Sequence, residues 1–242
     1  NTNECVSTEQ TDVTISVKVP NKEIVEEGKY NVKLVKKGTD GVQLGGAQFT
    51  VKATINGGEE TDLNTEENPL ETNNATAVNI GSTVTINRGN IGTPDIYTLK
   101  EISIGNNEGY YIGITQDIIL TVNKKTETSS DGSTITNSVS SIELELNGAE
   151  VTKESDTKSV AKITVDGQEL EVIAELNGST ITLTVENPVR TGLFNFNLVK
   201  YIKGTSTPLT GAGFKITIKN KATGEVVSDG SGNKIDGTKE YK

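Results

Sequence analysis

Residues 160–186 read Val160-Ala161-Lys162-Ile163-Thr164-Val165-Asp166-Gly167-Gln168-Glu169-Leu170-Glu171-Val172-Ile173-Ala174-Glu175-Leu176-Asn177-Gly178-Ser179-Thr180-Ile181-Thr182-Leu183-Thr184-Val185-Glu186. Apolar and polar side chains alternate, and two dipeptides, Asp166-Gly167 and Asn177-Gly178, cut the stretch into three runs. Alternation at period two puts one row of side chains on a buried face and the other toward water. Asp-Gly and Asn-Gly tolerate the positive φ that a two-residue hairpin requires. The stretch therefore predicts strands over 160–165, 169–176 and 179–186. Reading outward predicts further strands over 12–19, 30–37, 47–54, 82–87, 95–103, 117–122 and 140–146, and a hairpin turn at Asn147-Gly148. No long segment carries an apolar period of 3.6 residues. The predicted class is all-β, with alternating faces buried between packed sheets.

Composition removes several functions. The chain of 242 residues has a net charge of −10, which argues against nucleic acid and against an anionic membrane surface as partners. No apolar run approaches the roughly 20 residues of a spanning helix. His, Met and Trp are absent, so Ser-His-Asp and Cys-His catalysis are unavailable. With a single cysteine, Cys5, there is no disulfide framework and no thiolate zinc site. Cys5 lies in a polar N-terminal stretch and reads as a free thiol. No cofactor is expected.

One motif occurs twice. Leu34-Val35-Lys36 opens a run through Gly45-Gly46-Ala47-Gln48-Phe49, and Leu198-Val199-Lys200 opens one through Gly211-Ala212-Gly213-Phe214. Lys36 and Lys200 lie 164 residues apart, a domain period rather than a solenoid period. A second similarity supports it: Thr14-Ile15-Ser16-Val17-Lys18-Val19-Pro20 resembles Thr182-Leu183-Thr184-Val185-Glu186-Asn187-Pro188. The expected organisation is a tail and closing strand of a preceding domain over 1–25, a complete domain over 26–188, and the opening strands of a second, incomplete domain over 194–242. The chain thus reads as a slice of a tandem array.

Strand parity exposes a candidate site. Residues two apart share a face, so Val32, Leu34 and Lys36 point one way. The same holds for Tyr97, Leu99 and Glu101, and for Ile181, Leu183, Val185 and Asn187. A lysine, a glutamate and an asparagine are thereby directed into one interior. Burial disfavours their charged forms. A neutral lysine amine is a nucleophile, and a neutral glutamic acid can donate or relay a proton. Asp95 as the acid and Asn195 or Asn197 as the amide are less well placed alternatives.

The run Leu-x-Lys-x-Gly-x-x-x-x-x-Leu-x-Gly-Ala-x-Phe over 34–49, followed by Tyr97-Thr98-Leu99-Lys100-Glu101, Gly109-Tyr110 and a closing strand ending in Asn187-Pro188, resembles the CnaB-type (SpaA-like, prealbumin-like) domains. These are immunoglobulin-like β-sandwiches of Gram-positive surface adhesins and pilins. The resemblance spans 26–188 and, for opening strands only, 194–242. It implies a spontaneous intramolecular isopeptide bond between Lys36 and Asn187, assisted by Glu101, and an extracellular location on a cell wall, pilus or appendage. The reaction runs once on the protein itself, so no turnover enzyme is implied. It implies as partners the neighbouring domains or subunits of a surface fibre.

Three features depart from that pattern. The stretch from about 124 to 180 is longer than the usual link between the last two strands and reads as an inserted β-meander. The early copy has Val19 where Asn187 stands. Lys200, a possible second cross-link lysine, has neither its glutamate nor its asparagine in this chain, although Tyr241 could match Tyr97. The principal expectation is a structural stalk or fibre module. One alternative is an adhesin module that binds a host or matrix protein through the insert. Another is a fibre subunit completed by a neighbouring chain. Asp229, Ser231, Asn233 and Glu240 have the spacing of a calcium loop, but Lys234 occupies the position that needs glycine, and an ordinary hairpin is the simpler reading. The Glu-rich stretch 59–72 reads as a solvated loop.

Overall fold

The computed structural model describes residues 24–190, 198–220, 224–228 and 233–241. The alternating segments form strands β1 (Ile24–Glu26), β2 (Gly28–Gly38), β3 (Gln48–Thr54), β4 (Thr61–Asn64), β5 (Leu70–Glu71), β6 (Val78–Ile86), β7 (Asp95–Ser103) and β8 (Ile118–Thr128). They continue with β9 (Thr134–Leu146), β10 (Glu150–Ser155), β11 (Lys158–Val165), β12 (Gln168–Asn177), β13 (Thr180–Asn187), β14 (Phe214–Thr217) and β15 (Asp236–Tyr241). One sheet has the order β1-β9-β8-β7-β3-β4, with β5 also on β3, and the other β10-β11-β12-β13-β2-β6. The fold is an all-β, immunoglobulin-like sandwich, as the alternation predicts. No helix among the described residues is long and apolar enough to cross a membrane.

The core follows parity. Tyr30, Val32 and Leu34 of β2, Tyr97 and Leu99 of β7, and Ile181, Leu183 and Val185 of β13 are buried between the sheets. Phe49, Ile118, Leu120 and Val172 fill the space between them. β13 lies beside β2 in parallel, with Val185 opposite Lys36 and Asn187 opposite Gly38. Chain entry and chain exit of the sandwich are therefore neighbouring strands. β7 faces them from the other sheet.

Turn chemistry explains the joints, with one correction. Asp166 and Gly167 both have positive φ, 50° and 78°, and join β11 to β12 as a two-residue hairpin with Val165 opposite Gln168. Asn177 pairs with Thr180 around the second turn. Asn147-Gly148 makes a turn but not a hairpin: β9 stays in one sheet and β10 crosses to the other. An Asn-Gly dipeptide reverses the chain, but strand pairing depends on which neighbours bury their apolar face. The stretch 124–180 accordingly does not form a sheet of its own. It lengthens β8, adds β9 to one sheet and extends the other through β10, β11 and β12.

Residues 59–72, expected as loop, contain β4 and β5, which pair with β3. Backbone pairing there needs few buried side chains, and Thr61, Asp62 and Glu71 remain exposed. In the C-terminal stretch Phe214 pairs with Tyr241, whereas Phe49 pairs with Glu101 and Tyr97 with Ala53. Tyr241 therefore does not take the register of Tyr97. The segments 12–20 and Asn195 to Asn197, together with Cys5, lie outside the described residues.

Candidate cross-linking site

Three strands converge at one end of the sandwich core. β2 ends its inward row with Lys36, β13 ends its own with Asn187, and β7 brings Glu101 from the opposite sheet. Lys36 and Asn187 are 0% exposed and Glu101 4%. Glu101 lies between the other two. Its Oε2 is 3.0 Å from Lys36 Nζ, and its Oε1 accepts a hydrogen bond of 2.7 Å from Asn187 Nδ2. The lysine and carboxyl are close but not aligned for hydrogen bonding, so Lys36 Nζ and Glu101 Oε2 are buried without a directed partner.

That arrangement suppresses charge. Burial lowers the Lys36 ammonium to about 8, with the nearby Glu101 only partly opposing the shift. Burial raises the Glu101 carboxyl, against the opposing pull of Lys36 and Asn187. Desolvation leads in both groups, so each moves toward its neutral form. The Phe49 ring, with its centroid 5.8 Å from Nζ, forms one apolar wall beside the amine.

The chemistry open to this set is acyl transfer. A neutral Lys36 amine can attack the side-chain carbonyl carbon of Asn187. The leaving nitrogen, Nδ2, already rests on a Glu101 oxygen, so a proton can reach it directly. The carbonyl oxygen, which gathers negative charge, is approached at 3.5 Å by the backbone N–H of Gly113. Sequence reasoning missed Gly113, because it lies in the irregular segment between β7 and β8, where strand parity is silent. A Cβ at Gly113 would lie 2.5 Å from Leu170 Cδ1 and 2.7 Å from Pro188 Cδ. Gly113→Ala is therefore expected to push Pro188, and Asn187 with it, out of place. The expected result is a larger unlinked fraction at a fixed time after refolding, read by intact-mass spectrometry.

The remaining candidates are not part of this cluster. Asp95 sits at the far end of β7, bound to Lys124 and Tyr30. Lys200 is exposed, and its carbonyl accepts a hydrogen bond from the Leu209 N–H. Of the calcium-loop residues, Asp229 and Ser231 lie outside the described residues, and Asn233 and Glu240 are exposed. Among the described residues no group of three His, Cys, Asp or Glu side chains is placed to hold a metal.

No protein-family model and no curated protein matches the chain. Among solved structures, the pilus adhesin SpaC from Lactobacillus rhamnosus GG is similar at 17% identity and a TM-score of 0.35. The overlap covers 68% of this chain and 15% of that one. A C-terminal fragment of the same adhesin is similar at 17% identity and a TM-score of 0.34, over 68% of this chain and 46% of the fragment. The chain thus spans less than half the length of either.

Proposed function

We propose that this chain is a structural module of a bacterial surface fibre or stalk, of CnaB type, locked by a self-formed isopeptide bond between Lys36 and Asn187. The observation that carries this proposal is the buried Lys36–Glu101–Asn187 set, with the carboxyl 3.0 Å from the amine and 2.7 Å from the amide nitrogen. In the step, the lone pair of Nζ attacks Asn187 Cγ and the Cγ–Nδ2 bond breaks. Glu101 gives its proton to Nδ2 and recovers one from Nζ. Ammonia leaves, and Glu101 ends as it began. The module acts once, on itself, and requires no cofactor.

A load-bearing shaft fits the bond's position. Tension entering at β2 and leaving at β13 crosses the new amide and bypasses the strands between. The surface favours a spacer over a ligand-binding insert. Within 124–180, Val151 is the one large hydrophobic residue left exposed. The edge strand β10 is exposed throughout, and its Lys153 pairs with Glu143 and Asp156. A charged, polar edge resists strand addition and offers no apolar patch for a partner.

The test is intact mass under denaturing conditions. The wild-type chain is expected to be short of ammonia relative to its sequence, and Lys36→Ala and Asn187→Ala are each expected to restore one ammonia. A wild-type mass equal to that of the unmodified sequence overturns the proposal.

Bond formation should also depend on pH in a definite sense. Raising pH through about 8 removes the proton from Lys36 and favours attack. Raising pH past the elevated value of Glu101 removes the acid. The pair must hold one proton between them, so the rate should be greatest between the two values and fall on both sides. Refolding from denaturant across a pH series, followed by mass, reads this profile. A rate that rises monotonically with pH contradicts a role for Glu101 as acid.

A further inference from the structure

β7 carries a buried carboxylate at each end of its inward face. Glu101 serves the site above, and Asp95 stands at the opposite end, with Tyr97 and Leu99 between them. Asp95 is also the centre of a lysine–carboxyl–asparagine set. Its Oδ1 accepts 2.6 Å hydrogen bonds from Lys124 Nζ and from the backbone N–H of Asn56. Lys124 Nζ donates a second, of 3.2 Å, to the side-chain oxygen of Asn56. The side chains of Lys124 and Asp95 are both 0% exposed. The Tyr30 hydroxyl fixes the other carboxylate oxygen at 2.6 Å, and the Tyr97 hydroxyl lies 3.3 Å from that of Tyr30.

The geometry points to a second self-formed cross-link, between Lys124 and Asn56, with Asp95 relaying the proton. Asn56 is held for it. The residue adopts φ 54°, a left-handed conformation that asparagine tolerates, and its backbone N–H is anchored on Asp95. The amine therefore meets the amide of a fixed turn. The amide nitrogen, Nδ2, donates to the Thr85 carbonyl, and both residues line an open cleft of about 330 Å³ through which a small leaving group can escape.

The step balances as follows. Asp95 takes a proton from the Lys124 ammonium, freeing its lone pair. Nζ bonds to Asn56 Cγ, and the Cγ–Nδ2 bond breaks. Nδ2 collects the proton lost by Nζ on bonding together with the one held by Asp95, and leaves as ammonium. Asp95 returns to carboxylate. No oxidant, metal or other reactant is needed.

This site differs from the first in two respects. Its carboxylate meets three donors, Lys124, the Asn56 N–H and Tyr30, where Glu101 Oε2 has no directed partner. Its leaving nitrogen points at a carbonyl and not at the acid. Both differences slow proton transfer, so the second bond should form after the first. It would tie β8 to the turn after β3 across β7, within one sheet, whereas the first ties entry strand to exit strand.

Peptide mapping of the denatured full-length wild-type chain tests the cross-link without any variant. The expected result is a branched peptide joining the segments that contain Lys124 and Asn56, and loss of two ammonias from the intact chain. Lys36→Ala, which removes only the first bond, should still lose one ammonia. Lys36→Ala combined with Lys124→Arg should lose none. A branched peptide at Lys124 without one at Lys36 would reject the first bond and keep the second. Separate linear peptides for Lys124 and Asn56 overturn the inference and leave an ion pair only. So does an ammonia loss confined to a linear Asn56-Gly57 peptide, which marks cyclisation of the Asn-Gly backbone.

Discussion

Replacing Lys36 with methionine is expected to lower the midpoint of thermal unfolding by roughly 10–20 °C for a domain of this size. The size of the effect follows from topology. A bond between Lys36 and Asn187 closes a loop of about 150 residues, and loop-closure entropy alone gives about 5 kcal/mol for such a cross-link. Typical domain stability is about 5–15 kcal/mol, so the bond is comparable with everything else that holds the fold. Methionine keeps the volume of the lysine stem and removes the nucleophile, which separates loss of the bond from loss of packing. Glu101 remains buried, but burial already pushes it toward the neutral acid, so little new charge is stranded. Calorimetry of the two chains reads the difference. Equal midpoints would mean that the fold gains nothing from the bond.

Replacing Glu101 with glutamine should leave a folded chain that lacks the Lys36–Asn187 bond. Glutamine preserves the shape and presents its one amide oxygen to either Asn187 Nδ2 or Lys36 Nζ, but it cannot exchange a proton as a carboxyl does. Loss of a positioned general acid typically costs roughly 10²–10⁴-fold in rate. In refolded Glu101→Gln, peptide mapping should therefore still find Lys36 and Asn187 in separate linear peptides long after wild type has joined them. Circular dichroism should still report β-sheet, because the strands that flank the site are held by Leu34, Leu99, Leu183 and Val185. A variant that links as fast as wild type would make Glu101 a bystander and leave burial of Lys36 as the whole cause.

Much of this architecture is written in residue order, because the strands that matter alternate without interruption. β2, β7 and β13 each place every second residue in the core, so parity alone directs Lys36, Glu101 and Asn187 inward. Parity does not say which strands become neighbours. That β2 and β13 lie side by side while β7 faces them depends on long-range pairing, which local alternation cannot encode. The Asn147-Gly148 turn shows the same limit: the dipeptide marks a reversal, yet β10 leaves the sheet of β9 to cover the other layer.

The second cluster was half legible. Asp95 shares the inward face of Glu101, and Lys124 follows Leu120 and Val122 at spacing two, so both could be directed inward from sequence. Asn56 could not. It sits in a turn, and its place beside Lys124 comes from a left-handed backbone and a hydrogen bond to a carboxylate on another strand. Gly113 was invisible for the same reason: its role lies in an N–H beside Asn187 and in the absence of a Cβ against Pro188. Residues that act through backbone geometry leave little trace in hydrophobic pattern.

The central claim is the covalent bond between Lys36 and Asn187, and proteolytic mapping of the denatured wild-type chain tests it most directly. Trypsin does not cut after an acylated lysine, so the bond predicts one branched peptide in which the segment through Lys36 is joined to the segment ending at Arg190, short by one ammonia. Two separate linear peptides, one cleaved after Lys36 and one carrying an intact Asn187 amide, would contradict it.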